Sequence, residues 1–270
     1  MRDLNLTPKV SIILAINSDH GFLRDAINSI LDQSFEDFEF IIIANNCSDE
    51  LWLELNKFTD LDPRIKIKRL KIGGLIFALN YGLEIAKGEY IARMDADDIS
   101  KRDRLVYQVN YLNEHKNTIV LGTQIELINE NNQLLGLQGK KRPVNEFDIN
   151  KQLFKNSPLA HPTVMFRKEE IIKIGGYKYG FYGEDYELWL RCRENQYKME
   201  NLDEILLQYR IHGNQETDLN AYRKISDPVS ALIFLYLKKT NNFRFFKGLI
   251  FQSRVYFFTV NFIKKVLGSK

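Results

Sequence analysis

Three carboxylates that fall within four residues of each other are the group in this chain best suited to chemistry. Asp95, Asp97 and Asp98 directly follow the short apolar stretch 90–94, Tyr-Ile-Ala-Arg-Met. Carboxylates this close repel one another unless a cation or several hydrogen-bond donors neutralise them. An Asp-x-Asp at the end of a buried strand suits a hard divalent ion such as Mg²⁺ or Mn²⁺. Because aspartate also caps helices, a polar turn before a helix is the alternative.

The elements that would position this turn alternate between strands and helices. Apolar or alternating runs predict four strands, at residues 10–16, 38–44, 65–70 and 90–94. Helical spacing predicts three helices between them, at residues 23–31, 50–58 and 75–86. Such units form a parallel sheet, and ligands bind beyond the carboxyl ends of its strands. We therefore expect the turns at Asn17, Asn45, Gly73 and Asp95 to share one edge.

The second half of the chain mixes short strands and helices. We predict a hairpin over 119–128 and 134–137, followed by a helix near 145–155. The elements predicted after it are a strand within 159–166, a short helix ending at 175–177, a helix opening at 183 and a strand over 206–212. We find no internal repeat and no low-complexity linker, so one domain with a C-terminal tail is expected.

Length and composition limit the class of protein. A chain of 270 residues with a net charge of +3 fits one large globular domain, or one domain with an appendage. Two cysteines, Cys47 and Cys192, cannot form a disulfide framework, which favours a reducing cytosol. The polar start has no apolar signal-peptide core, and no apolar run reaches the ~18 residues of a membrane span. We expect no nucleic-acid partner.

The C-terminal tail has an unusual composition. Residues 229–270 contain eight of the 18 phenylalanines and eight basic residues, but no Asp or Glu. This composition predicts contact with an anionic surface. On a helical projection, Lys247, Arg254 and Lys265 fall together, and a wide apolar arc lies opposite, formed by Phe245, Leu249, Tyr256, Ile263 and Leu267. That arc favours a helix lying in a membrane interface. The alternative is helices packed on the body or in a homodimer interface.

Several stretches in one order resemble the family 2 glycosyltransferases, which have the GT-A fold. The matching stretches are 10–13 (Val-Ser-Ile-Ile), 26–34, 38–43, 45–49 (Asn-Asn-Cys-Ser-Asp), 79–90, 94–98 (Met-Asp-Ala-Asp-Asp) and 183–185 (Gly-Glu-Asp). The resemblance covers roughly residues 9–215. It implies a mixed, mainly parallel sheet flanked by helices, with a nucleotide-sugar half at about 1–100 and an acceptor half at about 101–215. Residues 216–270 would form the helical tail.

The resemblance also implies a donor site. Asp95 and Asp97 match the family's Asp-x-Asp, where Mn²⁺ or Mg²⁺ holds the donor diphosphate. His212 stands where related enzymes sometimes use a late histidine as a metal ligand, although a lone histidine is more often structural. The residues placed near the nucleotide sugar are Ala15, Asn17, Asn45, Gly74, Asn80 and Asp95. Departures include Asn45, where the family usually has Asp, and Leu79, where it often has Arg.

On the acceptor side, Asp185 matches the base of inverting members, which deprotonates the acceptor hydroxyl. Glu184 beside it is expected to raise the pKa of Asp185 by repulsion. The alternative is that both acids stabilise a helix N-terminus. Trp189 lies one helical turn later and either stacks on a sugar or fills the core. His161 is a further acceptor-side candidate, with a structural role as the alternative.

The sequence thus predicts an inverting, metal-dependent hexosyl- or N-acetylhexosaminyltransferase. It would move a sugar from a nucleotide-sugar donor, chiefly a UDP-sugar, to a glycan or lipid-linked acceptor. We expect a peripheral protein at the cytoplasmic face of a bacterial membrane, acting in surface polysaccharide or lipopolysaccharide synthesis. A sugar nucleotidyltransferase would need a basic, glycine-rich loop, and residues 14–21 hold no Lys or Arg. A non-catalytic binding module would not need Asp95, Asp97 and Asp185.

Overall fold

The computed structural model describes residues 7–138, 141–178, 183–213 and 222–252. The strands within these ranges are β1 Val10–Ile16, β2 Phe38–Asn45, β3 Ile65–Leu70, β4 Tyr90–Met94, β5 Ile99–Ser100, β6 Thr118–Ile128, β7 Leu134–Gln138, β8 Met165–Arg167 and β9 Lys198–Arg210. The helices are α1 Leu23–Leu31, α2 Asp49–Thr59, α3 Leu75–Ile85, α4 Arg104–Glu114, α5 Glu146–Gln152, α6 Lys168–Lys173, α7 Glu184–Glu194, α8 Tyr222–Thr240 and α9 Arg244–Gln252.

One mixed sheet organises the fold, in the order β3-β2-β1-β4-β8-β6-β9-β5, with β7 paired to β6. The first four strands are parallel to one another, as predicted. Their apolar runs are continuous because helices cover both faces of this half of the sheet. In the second half, β8 runs antiparallel to β4 and β6, while β6 and β9 are parallel. The parallel pairings thus dominate only the first half.

Two layers of helices bury the two faces of the sheet. The side chains of α1, α2 and α4 pack on one face, against Ile12 and Leu14 of β1. Helices α3, α5, α6, α7, α8 and α9 pack on the other, where Ile13 of β1 points. The alternation of successive side chains along a strand separates the two clusters.

Most predicted elements are present among the described residues, but some were missed or given wrong bounds. Helix α4, the two-residue β5 and the 3-10 turn His161–Thr163 were not predicted. That turn occupies part of the strand predicted within 159–166, which is reduced to β8. In α4, the fully buried Arg104 and Gln108 interrupt the apolar spacing that would have revealed it. Strand β9 begins at Lys198, well before the predicted 206, because its first half is polar yet pairs in parallel with β6.

The tail helices pack on the body, which was the alternative to a membrane-lying arc. Val229 and Ile233 of α8 and Phe245 of α9 are buried in the second core cluster. The Phe245 ring meets Phe154 edge-on, with centroids 4.8 Å apart. The prediction that Phe245 faces a membrane is therefore wrong, since this face of α9 is covered by the body.

Other parts of the tail prediction stay open. Arg254, Tyr256, Ile263, Lys265 and Leu267 lie outside the described residues, as does the predicted boundary at 215 and 216. The outer surface of α8, α9 and the turn between them does expose large apolar side chains, namely Phe234, Leu235, Phe243, Phe246 and Ile250. None of the helices that the structure describes is both long and apolar enough to cross a membrane.

Candidate active site

A cavity of about 730 Å³ opens at the carboxyl ends of β1, β2 and β4, where the four predicted turns were expected to meet. Ten of the twelve predicted site residues line it: Ala15, Asn17, Asn45, Gly74, Asp95, Asp97, His161, Glu184, Asp185 and His212. Asn80 and Trp189 do not. The cavity lies beyond the carboxyl ends of parallel strands, the position where open α/β sheets bind ligands.

The acidic turn after β4 places three carboxylates together. Oxygens of Asp95, Asp97 and Asp98 lie within 4.8 Å of one another. Asp98 is buried, and its Oδ1 accepts from the Arg210 N–H at 2.9 Å, while its buried Oδ2 has no hydrogen-bond partner in the described part of the chain. Burial, and then repulsion from Asp95 and Asp97, raise the pKa of Asp98 well above its ordinary value. Three carboxylates at this spacing, one of them with an unsatisfied buried oxygen, fit a divalent cation.

Arg93 supplies part of the compensating charge. This arginine lies within the buried strand β4, and its guanidinium forms an ion pair with Asp95. Burial acts to lower the pKa of Arg93, but Asp95 holds it above the ordinary value. The pKa of Asp95 is nevertheless raised, because burial outweighs the attraction of Arg93. Arg93 was not predicted as a site residue, although a charge inside an apolar strand is a signal that could have identified it.

His212 comes from the far end of the chain to the acidic turn. Its Nε2 lies 3.0 Å from Oδ2 of Asp97, across a separation of 115 residues. The imidazole packs against Phe22, with ring centroids 4.9 Å apart, and near His20 at 5.7 Å. This position places His212 beside the predicted metal ligand Asp97 and lets it share a cation or hydrogen-bond the carboxylate.

Arg210 connects the acidic turn to the β6–β7 hairpin. Its side chain is fully buried, and its Nε donates to the Asp97 carbonyl at 2.7 Å. Its Nη1 donates to Asn132 Oδ1 at 2.5 Å and to the Asn129 carbonyl at 3.1 Å, and its guanidinium lies 4.4 Å from the centroid of Phe22. Sequence analysis did not select Arg210, although it stands two residues before His212.

Asn45 joins three segments of the predicted nucleotide site. Its Nδ2 donates to the Ile16 carbonyl at 3.1 Å, and its Oδ1 accepts from the Gly74 N–H at 3.1 Å. Gly74 has φ +126°, a conformation that favours glycine. An aspartate at position 45 could not donate to Ile16, which explains why the amide suits this chain. Oδ1 keeps a second lone pair, so a contact with the nucleotide base stays a prediction.

Asn80 has a different role from the predicted one. Its Nδ2 donates to the Tyr177 carbonyl and its Oδ1 accepts from the Tyr177 N–H, both at 2.9 Å. Both ends of the amide are therefore used to fix the turn after α6, outside the cavity. The prediction of a donor contact at Asn80 is not supported, because the side chain faces a protein backbone.

Asp185 is the second residue of α7, after Gly183 at φ +83°. Its Oδ2 accepts from Ser157 Oγ at 3.1 Å. Burial raises the pKa of Asp185 above its ordinary value, against the lowering effect of hydrogen bonds from the Tyr186 N–H and Ser157. Burial, rather than the predicted repulsion from Glu184, is the main cause. A carboxylate with a raised pKa is a better proton acceptor near neutral pH.

The two acceptor-side candidates differ in placement. His161 lines the cavity, and its Nε2 lies 3.0 Å from the Tyr177 hydroxyl, with its Nδ1 3.7 Å from Glu184. Burial lowers the pKa of His161 well below its usual value, so the ring is neutral. Trp189 is fully buried in the core. The prediction that Trp189 stacks on a sugar is therefore wrong, and its core alternative is correct.

Comparisons with known proteins agree with the resemblance. The sequence profile described as glycosyl transferase family 2 matches residues 11–175. The O-antigen biosynthesis glycosyltransferase WbnJ of Escherichia coli is 44% identical over 223 residues, covering 81% of this chain and 85% of WbnJ. The Escherichia coli UDP-Gal:alpha-D-GlcNAc-diphosphoundecaprenol beta-1,3-galactosyltransferase is 31% identical over 211 residues, covering 76% of this chain and 75% of that enzyme.

A solved structure supports the fold independently of sequence. The mannosyltransferase PcManGT from Pyrobaculum calidifontis, in complex with GDP-Man and Mn²⁺, matches with a TM-score of 0.67 at 13% identity. The match covers 98% of this chain and 77% of PcManGT. At this identity, the likeness bears on the fold alone. The family profile and the 44% identical relative, together with this fold, establish that the chain belongs to glycosyltransferase family 2 and has the GT-A architecture.

Proposed function

We propose that this glycosyltransferase transfers a hexose or N-acetylhexosamine from a nucleotide-sugar donor to an acceptor hydroxyl, with inversion at the anomeric carbon. The observation that supports this most directly is that the acidic turn and Asp185 line the same cavity. Its volume of about 730 Å³ is in the range that holds a ligand of this size. The metal-binding residues and the proton acceptor are thus available to a sugar donor and an acceptor hydroxyl that meet in one cavity.

Mn²⁺ or Mg²⁺ is the cofactor that we propose, held by Asp97 and Asp95 with His212 beside them. When bound, such an ion neutralises charge on a diphosphate as it leaves. The chain's own contribution is to keep the ligands in place. Arg210 fixes the Asp97 carbonyl and the Asp98 carboxylate through one hydrogen bond each, and Arg93 holds Asp95.

Asp185 acts as the general base in this proposal. As the acceptor oxygen bonds to the anomeric carbon, Asp185 takes the hydroxyl proton, and the bond from that carbon to the diphosphate oxygen breaks. Ser157 orients the carboxylate by donating to Oδ2. Attack on the side opposite the leaving group inverts the anomeric carbon. Glu184 lies next to Asp185 and near His161, where it contributes negative charge to the same wall.

UDP is the nucleotide that we propose. The galactosyltransferase relative is named for UDP-Gal, whereas the more distant PcManGT was solved with GDP-Man. The base and ribose would bind at the turns that contain Ala15, Asn17, Asn45 and Gly74, which line the end of the cavity formed by β1 and β2.

The acceptor that we propose is a glycan on a lipid carrier, presented at an anionic membrane surface during surface polysaccharide synthesis. WbnJ is named for O-antigen biosynthesis, and the galactosyltransferase for a diphosphoundecaprenol-linked acceptor. Val229 of α8 and Gln252 of α9 line the cavity. The exposed side of these helices combines Phe234, Leu235, Phe243 and Phe246 with Lys238 and Lys247. Each basic group near an anionic surface contributes about 1 kcal/mol.

A thermal-shift screen of nucleotide diphosphates, with and without Mn²⁺, tests this proposal. We expect UDP with Mn²⁺ to raise the unfolding temperature, because a ligand at 100 times its Kd stabilises by about 2.7 kcal/mol. Asp97→Ala should abolish the shift. Asp37→Ala is the matched control, because Asp37 is exposed at the opposite end of β2. A shift that is unchanged without metal, or retained by Asp97→Ala, would contradict the metal assignment.

A transfer assay completes the test. The chain should release UDP from its preferred UDP-sugar, and more quickly when an acceptor is present. A chain that binds UDP–Mn²⁺ but never releases it from any nucleotide sugar would be a binding module and not an enzyme.

A further inference from the structure

Arg142 is a cavity residue that neither the motifs nor the proposed reaction uses. It lies between β7 and α5, and both its backbone N–H and its carbonyl are hydrogen-bonded by the side chain of Gln124 in β6. Its N–H donates to Gln124 Oε1 at 2.7 Å, and its carbonyl accepts from Gln124 Nε2 at 3.2 Å. Gln124 itself is buried and also donates to the Leu202 carbonyl at 3.1 Å. The sheet therefore fixes the point from which the Arg142 side chain extends.

The guanidinium of Arg142 is short of partners. Its Nη1 donates to the Ser157 carbonyl at 3.3 Å. Its Nε is buried and has no hydrogen-bond partner, and no carboxylate of the described residues lies within ion-pair distance of it. Burial accordingly lowers the pKa of Arg142. The Nε–Nη2 edge is one of the two forks through which arginine binds carboxylate or phosphate bidentately, and the described residues leave it unused.

Ser157 places the guanidinium of Arg142 close to the proposed base. The carbonyl of Ser157 accepts from Arg142, and its hydroxyl donates to Asp185 Oδ2 at 3.1 Å. The neighbouring Asn156 also lines the cavity, and its buried Oδ1 has no hydrogen-bond partner within the ranges that the structure describes. If Arg142 served only to balance Asp185, a direct ion pair would be the expected geometry, and the two side chains form none. The guanidinium of Arg142, which lines the cavity, is therefore left without an ion pair among the described residues.

We propose that Arg142 binds an anionic group of the acceptor, a phosphate or a carboxylate, within about one sugar ring of the hydroxyl that Asp185 deprotonates. This inference rests on the proposed function, because it places the acceptor beside Asp185. The charge of Asp185 compensates this buried cation only in part, because the two side chains form no ion pair, and a ligand oxygen anion would supply the rest of the counter-charge. Two sources share this chemistry. One is the phosphate that joins the accepting sugar to a carrier, and the other is a carboxylate on that sugar.

Calorimetry on the full chain distinguishes the sources. UDP and Mn²⁺ at saturation first block the donor site. The ligands are a hexose 1-phosphate, the methyl glycoside of a hexuronic acid and a neutral methyl hexoside. We expect the wild type to bind one of the anionic ligands about 10- to 100-fold more tightly than the neutral one, the range of a charge-assisted hydrogen bond. Preference for the phosphate indicates a carrier-linked sugar, and preference for the carboxylate an acidic sugar.

Variants assign the preference to Arg142. Arg142→Gln should reduce the preference for the anionic ligand to less than about threefold, while the affinity for the neutral hexoside is unchanged. Arg142→Lys should keep part of this preference, since lysine offers a point charge without the planar fork of arginine. Lys155→Gln is the control, because it removes an exposed charge from the same region. Thermal unfolding confirms that each variant is folded.

Two results would overturn the inference. One is a wild type that binds anionic and neutral ligands equally. The other is Arg142→Gln losing affinity for both alike, which would make Arg142 a packing residue. Failure of the proposed function is distinguishable, because it would appear as a missing UDP–Mn²⁺ response of the wild type. In that case the carboxylate and neutral ligands, titrated without nucleotide, still report on Arg142.

Discussion

Replacing Asp185 by asparagine separates a catalytic role from a structural one. The amide is nearly isosteric, and its oxygen can still accept the hydrogen bond that Ser157 Oγ donates at 3.1 Å. It cannot take a proton from an acceptor hydroxyl. Among the described residues, no hydrogen bond or ion pair joins this side chain to the donor-binding turns, so the affinity for UDP–Mn²⁺ should be retained.

The structure sets the size of both effects. A general base contributes about 10²- to 10⁴-fold, so kcat should fall by that factor, which corresponds to about 3–5 kcal/mol of barrier. The effect on stability has the opposite direction. Because the folded-state pKa of Asp185 is raised by burial, its contribution to stability is full below the unfolded pKa and is lost as pH rises through the folded pKa. Asparagine does not ionise, so at neutral pH the Asp185→Asn variant avoids this loss of stability. It should therefore unfold at the same temperature as the wild type or at a higher one.

Initial rates and thermal unfolding across pH measure these effects. For the wild type, the acid limb of the kcat profile should lie above the ordinary aspartate pKa of 3.8, because burial raises the pKa of Asp185. Glu146→Gln is the control, since it removes an exposed carboxylate from the first turn of α5. If Asp185→Asn kept most of its turnover, the base would be another group, with Glu184 next. If it unfolded several degrees lower, the carboxylate would be structural.

Three further variants test the rest of the site. Arg210→Met should lower both the unfolding temperature and the Mn²⁺ affinity, since removing a buried hydrogen-bonded charge costs about 3–5 kcal/mol. Arg102→Met is the control, because Arg102 is exposed. If the two variants behaved alike, Arg210 would not position the acidic turn. Asn45→Asp should lower the free energy of unfolding in urea by about 1–3 kcal/mol, because the buried Ile16 carbonyl loses its donor. An unchanged free energy of unfolding would contradict this. The double variant Phe246→Ser, Lys247→Glu should sediment less with anionic liposomes than the wild type, and the difference should be largest at low salt. Equal sedimentation of the variant and the wild type would indicate that this face is a dimer interface.

The predictions that held depend on local signals. Strands β1, β2 and β4 are continuous apolar runs because both of their faces are covered, and Asn45 and Asp95 stand where those runs end. Parallel strands bring such ends to one edge of a sheet, so the meeting of these turns in one cavity followed from order along the chain. The polar first half of β9 and the buried charge in α4 do not produce such signals, and these elements were misplaced or missed.

The sequence by itself determined the family, the parallel half of the sheet and the edge at which the acidic turn lies, because these depend on residue types at short spacing. Only the tertiary structure decided what each side chain faces. Asn80 bonds the backbone of Tyr177, a residue 97 positions away, and Trp189 fills the core rather than the cavity. Arg142 and Arg210 became site residues through contacts with distant segments. Burial and partner choice depend on contacts between segments far apart in the chain, which short-range spacing does not encode.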